Sequence, residues 1–130
     1  IPFALAAALE RPGAPVVAVL GDGTFGFHMA EFDTAVRYRI PFIAVVGNDA
    51  RWNAEHQIQL RSYGPERTRH CDLLPTRYDT VVQALGGFGA LVTEAAAFPA
   101  ALEAAQASGL PACVNVMIES VPAPVIRRPG

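Results

Sequence analysis

Three glycines and two polar side chains carry the chemistry that can be read from this chain. Gly21-Asp22-Gly23-Thr24-Phe25-Gly26 follows an apolar run at 16–20, and Asn48 closely follows a second run at 42–46. Between Gly23 and Asn48 lie 24 residues. One reading is a dinucleotide fingerprint, Gly21-x-Gly23-x-x-Gly26, with a pyrophosphate at a helix start and Asp49 on the ribose. Asp22 argues against it, because a carboxylate in that turn repels a pyrophosphate unless a cation lies between them. The second reading supplies that cation. One carboxylate oxygen from Asp22 and one amide oxygen from Asn48 are hard donors suited to Mg2+ or Ca2+. Mg2+ completes its octahedron with phosphate oxygens and water. Gly21 and Gly23 let the backbone come close enough for its N–H groups to meet the phosphates. This metal–diphosphate reading accounts for every residue of the motif and takes precedence.

Such donors need two strand ends side by side, and the chain has the elements to provide them. Short apolar runs alternate with helical patterns, which predicts an α/β fold: a parallel sheet flanked by helices on both faces. In such sheets ligands sit beyond the carboxyl ends of the strands. Strands are expected at 16–20, 42–46, 90–93 and 112–119, and helices at 1–10, 29–38, 53–60, 77–85 and 98–108. Residues 21–26 read as a turn, and Thr76-Arg77-Tyr78-Asp79 as a capping box with Asp in place of Glu. The polar stretch 62–75, broken by Gly and Pro, is the candidate mobile loop. Residues 1–10 form a helix pattern with no capping side chain, so the chain looks cut from something longer. We expect residues 1–120 to be one N-terminally truncated domain and 121–130 a C-terminal tail.

Composition excludes several classes. Hydrophobic residues make up 52% and charged residues 17%, which rules out intrinsic disorder. The net charge is −2, and the ten basic residues, all Arg, form no stripe, so no nucleic-acid partner is expected. The apolar runs fall far short of the ~20 residues of a membrane span. Cys71 and Cys113 are too few for a disulfide framework and lack metal-ligand spacing, so they read as buried free thiols. With no positive leader region or cleavage site at the start, a cytoplasmic location is the expectation.

The stretch GDGTFGFHMAEFDTAVRYRIPFIAVVGNDARWNAEHQ resembles the thiamine-diphosphate motif of the acetolactate synthase, benzaldehyde lyase and oxalyl-CoA decarboxylase group. Gly26 to Thr34 looks most like the benzaldehyde lyase branch, and the resemblance continues more weakly through Gly109-Leu110-Pro111-Ala112. It implies thiamine diphosphate and Mg2+ as cofactors. Asp22, the Asn48 side chain and the Ala50 carbonyl would be the metal ligands. Gly21, Gly23 and Thr24 would contact the cofactor, and the loop Arg51-Trp52-Asn53 would close over the diphosphate and the metal. Many relatives have Asn-Asn where this chain has Gly47-Asn48, but only the second Asn is a ligand. Some place an acid four residues after the chelating carbonyl, where this chain has Ala54. The implied activity is decarboxylation, carboligation or C–C cleavage of 2-oxo acids or 2-hydroxy carbonyl compounds. The implied assembly is a homodimer or homotetramer, with the activating glutamate supplied by a different domain. A non-catalytic diphosphate–Mg2+ module is the alternative function. Without the resemblance, Trp52 reads equally well as packing, Asp49 as a turn residue, and His28 and Glu55 as helix-surface groups.

Overall fold

A computed structural model describes residues 1–122; most of the expected tail, 123–130, lies outside the described residues. The elements run α1 (Pro2–Glu10), β1 (Val17–Gly21), α2 (Asp22–His28), α3 (Glu31–Tyr38), β2 (Ile43–Asn48), α4 (Asn53–Tyr63), α5 (Tyr78–Ala84), β3 (Phe88–Val92), α6 (Phe98–Ser108) and β4 (Ala112–Met117). Four strands form one parallel sheet in the order β1-β2-β4-β3. The register pairs Gly21 with Gly47 and Asn48 with Met117, so the β1 and β2 carboxyl ends lie next to each other.

Strand alternation divides the core in two. Ala44, Val46 and Cys113, with Ala18 and Leu20, face a layer made by α1, α2, α3 and α5. Ile43, Val45, Ala112 and Val114 face α6 through Ala105 and the flanking Phe98, Ala101 and Leu102. Both cysteines are free and buried, and burial pushes the Cys113 thiol up to about 12. No helix among the described residues is long and apolar enough to cross a membrane.

Beyond shifts of one to three residues at element ends, three departures from the sequence expectations bear on the site. Of residues 21–26, expected as a turn, all but Gly21 fall in α2 (Asp22–His28), which is helical despite its glycines. Packing overrides propensity here. Phe25 is fully buried, with its ring centroid 5.0 Å from Tyr78 and 5.7 Å from Phe32. Strand β2 runs on through Gly47 and Asn48, because its ladder with β4 continues to that point. No capping box forms at α5. The Thr76 hydroxyl donates to the Leu74 carbonyl (3.3 Å), and Asp79 turns inward instead of back to the helix start.

The 62–75 stretch is partly pinned. It contains a 3-10 turn at Pro65–Arg67, and its far half pairs with the loop after β2. Trp52 N–H donates to the Cys71 carbonyl and Leu73 N–H to the Ala50 carbonyl, each at 2.7 Å.

Candidate functional site

A crevice of about 310 Å3 opens at the carboxyl ends of β1 and β2. Gly21, Asp22, Gly23, Thr24, Trp52 and Asn53 line it, together with Asp49 and Glu55. The structure thus brings together six of the seven residues expected to bind the cofactor, three of them (Thr24, Trp52 and Asn53) expected from the resemblance alone. A larger hollow of about 500 Å3 lies at the amino ends of the strands, and its lining contains no acid and none of the expected cofactor or metal residues.

Asp22 occupies the first turn of α2 and is 1% exposed. Its Oδ1 accepts from the Gly23 N–H (2.9 Å) and its Oδ2 from the Arg51 N–H (3.2 Å). Among the described residues no cationic side chain pairs with it. Burial pushes its carboxyl above the usual range and the Asp49 charge adds to this, against the opposing Gly23 and Arg51 amides. A desolvated carboxylate beside a second acid, with no cation facing it, is the electrostatic environment that a metal ion relieves.

Asn48 lies beneath the crevice and is fully buried. Its Nδ2 donates to the Thr76 carbonyl (3.0 Å) and to Asn115 Oδ1 (3.1 Å). Its Oδ1 accepts from the Ala50 N–H at 3.2 Å. Ala50 has φ 53, a left-handed conformation that a non-glycine residue adopts only when its surroundings enforce it. One lone pair of its carbonyl oxygen is used by Leu73 N–H, which leaves the second for another partner.

The remaining motif residues divide by whether their polar atoms are free. The Trp52 ring packs edge-on to Phe27 (4.8 Å between centroids) and over Gly23, where an added Cβ would lie 3.0 Å from the ring. Asn53 donates to the Val121 carbonyl (2.8 Å) and accepts from Gln57, so both ends of its amide are occupied. The Arg51 side chain turns away to Asp72 (2.7 Å) and Ser120. Thr24 and His28 are exposed. Gly21 has nothing within 4 Å of the position a Cβ would take, so its missing side chain leaves open space beside Asp22.

No three His, Cys, Asp or Glu side chains cluster as a metal site among the described residues. A hard-oxygen set of one carboxylate, one amide and one carbonyl needs no such cluster, and it fits Mg2+ in company with phosphate oxygens. Two residues behind the site were not marked by spacing. Asn115, in the middle of β4, and Asp79, on α5, are both buried and join Asn48 in one hydrogen-bonded group. The readable signal for Asn115 is a lone amide inside the apolar run Ala112-Cys113-Val114-Asn115-Val116.

The family model of the thiamine pyrophosphate enzyme C-terminal TPP binding domain matches residues 1–116. A probable acetolactate synthase of Mycobacterium bovis is 48% identical over 118 residues, which are 90% of this chain and 21% of that protein. The 2-hydroxyacyl-CoA lyase 2 of Bos taurus is 44% identical over 91 residues, 70% of this chain and 14% of that protein. Among solved structures, the thiamine diphosphate-dependent 4-hydroxybenzoylformate decarboxylase of Rhodococcus jostii RHA1 has the same fold. Its TM-score is 0.83 at 23% identity, over 92% of this chain and 22% of its own. The chain thus spans about a fifth of the length of the first relatives it matches. With a matching family model over nearly all its described length and a crevice at the expected strand ends, the chain belongs to the thiamine pyrophosphate enzymes, as their C-terminal TPP-binding domain.

Proposed function

We propose that this domain holds the diphosphate of thiamine diphosphate through Mg2+, with Asp22, the Asn48 side chain and the Ala50 carbonyl as the protein ligands. The observation that carries this reading is the buried Asp22 carboxylate, which has amide donors and, among the described residues, no cation beside it. Asp22 supplies the charge that balances the metal. The open space at Gly21 admits phosphate oxygens, and Gly23 and the exposed Thr24 line the same crevice. Trp52 and Asn53 line the same crevice and would keep water from the metal. When bound, thiamine diphosphate supplies the electron sink for breaking or forming a bond at a carbonyl carbon.

The complete protein, on this reading, acts on a 2-oxo acid or a 2-hydroxy carbonyl compound by decarboxylation, carboligation or C–C cleavage. The glutamate that activates the cofactor comes from another domain, so a homodimer or homotetramer in the cytoplasm completes the site. Calorimetry of thiamine diphosphate binding to the complete protein, with and without Mg2+, tests the cofactor assignment. Binding should require Mg2+ and should be lost in Asp22→Ala; unchanged affinity in that variant would remove Asp22 from the site. Turnover of pyruvate, benzoin and oxalyl-CoA then separates the reaction classes.

A further inference from the structure

We propose that Asn115 and Asp79 are positioning residues that decide which atom of the Asn48 amide faces the metal. The inference rests on the reading of Asn48 as a Mg2+ ligand. The oxygen and nitrogen of an amide have nearly the same shape, so packing cannot choose between the two orientations; only hydrogen-bond partners can. Asn48 is fully buried, so water cannot choose either.

The choice starts at Asp79. This carboxylate is 2% exposed and takes a forked contact from Arg77, with Nε at 3.0 Å and Nη2 at 2.6 Å. Burial acts to raise its pKa, but the Arg77 guanidinium and the Asn115 amide outweigh that and hold it below the usual range. An ionised carboxylate only accepts. Asn115 must therefore turn its Nδ2 toward Asp79 Oδ1 (3.2 Å), which turns its own Oδ1 toward Asn48. Asn48 must answer with Nδ2, at 3.1 Å, and so aims its Oδ1 at the loop carrying Ala50 and Arg51. The Thr76 carbonyl reinforces the order by accepting from both amides, at 3.0 Å from Asn48 and 3.1 Å from Asn115.

A flipped Asn48 would set its Oδ1 against two acceptors, Thr76 O and Asn115 Oδ1, and its NH2 against the Ala50 N–H. It would also present an NH2 group to the cation. The same logic explains an amide at position 48. An aspartate there would have no proton to offer Asn115 or Thr76. The direction of this relay is set on α5 and β4, by residues that do not line the crevice.

The test is the Mg2+ affinity of the complete protein at saturating thiamine diphosphate, measured by calorimetry beside the melting temperature without metal. Asn115→Leu keeps the size and removes the acceptor, so the Mg2+ Kd should weaken by roughly 10–100-fold, as when a ligand-orienting partner is lost. Asn115→Thr puts back a hydroxyl that donates toward Asp79 and accepts from Asn48, without placing a charge against the Thr76 carbonyl. It should recover part of that loss, a rescue that a purely structural role would not produce. Should Asn115→Leu fail to fold, Asp79→Asn decides. It removes the charge that dictates the order and should weaken Mg2+ severalfold. Wild-type Mg2+ affinity in Asn115→Leu, or in Asp79→Asn where that variant decides, overturns the proposal and leaves the metal site standing. Asn115→Thr no better than Asn115→Leu also overturns it. Absence of any Mg2+ dependence in the wild type overturns both.

Discussion

Burial holds the Asp22 carboxyl of the metal-free protein above its ordinary 3.8, so the folded chain keeps that proton to higher pH than the unfolded chain does. The sign follows from linkage. Its contribution to stability is fully present below 3.8 and is lost as pH rises through the raised folded value. Asp22→Asn has no such step. Subtracting metal-free melting curves of Asp22→Asn from wild type, over about pH 3 to 7, should give a difference that moves against wild type as pH rises. A flat difference would contradict a desolvated Asp22. Mg2+ should restore wild-type stability by binding the folded form and leave the variant unchanged. Gly21 gives a second contrast. An added Cβ meets nothing, and its φ of −79 suits any residue. Gly21→Ala should therefore alter metal-free stability by less than about 0.5 kcal/mol, while thiamine diphosphate binding, read by calorimetry, falls. These two residues could be found in the sequence because the chemistry fixes both their types and their spacing to Asn48. Asp79 could not, because its partners are Arg77, two positions away, and Asn115, 36 positions away. A local reading sees only Thr76, three positions before it, and suggests a capping box.

Helix α5 links the site to the rest of the fold. It carries Asp79 and follows Thr76, and it lies so close to β3 that a Cβ on Gly89 would overlap the Asp79 carbonyl, 2.7 Å from its carbon. The obstacle is backbone, which cannot rotate away. Gly89→Ala should destabilise the protein at or above the upper end of the ~1–3 kcal/mol usual for overpacking, read by denaturant unfolding. Because the shift falls on Asp79, Mg2+ affinity should drop with it. An alanine tolerated within about 0.5 kcal/mol would mean that α5 can slide on the sheet. At this scale, alternation of apolar runs and helical periods was enough to place every strand and five of the helices, since each pattern is local. Helix α2 was not legible, because its glycines argue for a turn. Its helicity comes from Phe25 meeting Phe32 and Tyr78, a contact that exists only once the layers assemble.

The two faces of the sheet are covered unequally. Helix α6 packs over β2, β4 and β3 through Ile43, Val45, Val114 and Val92, but on that face β1 shows Val17 at 49% and Val19 at 79% exposure. Its opposite side chains, Ala18 and Leu20, are packed by the other helix layer. Strand β1 is also an edge, paired only with β2 among the described residues. Parallel strands are ordinarily covered on both faces, and a bare apolar edge is a template for association. Phe27 at 70% and Leu74 at 78% add apolar surface elsewhere. The 1–130 chain produced alone should therefore self-associate as its concentration rises. Val19→Thr keeps the β-branched shape that suits a strand and makes its surface more polar, so it should raise the monomer fraction at equal concentration. Sedimentation velocity over a roughly tenfold concentration series reads both effects. A wild-type chain that stays monomeric throughout would show that this edge is not adhesive. Association that Val19→Thr leaves untouched would instead assign it to another exposed patch, with Phe27→Ser and Leu74→Ser as the variants that locate it.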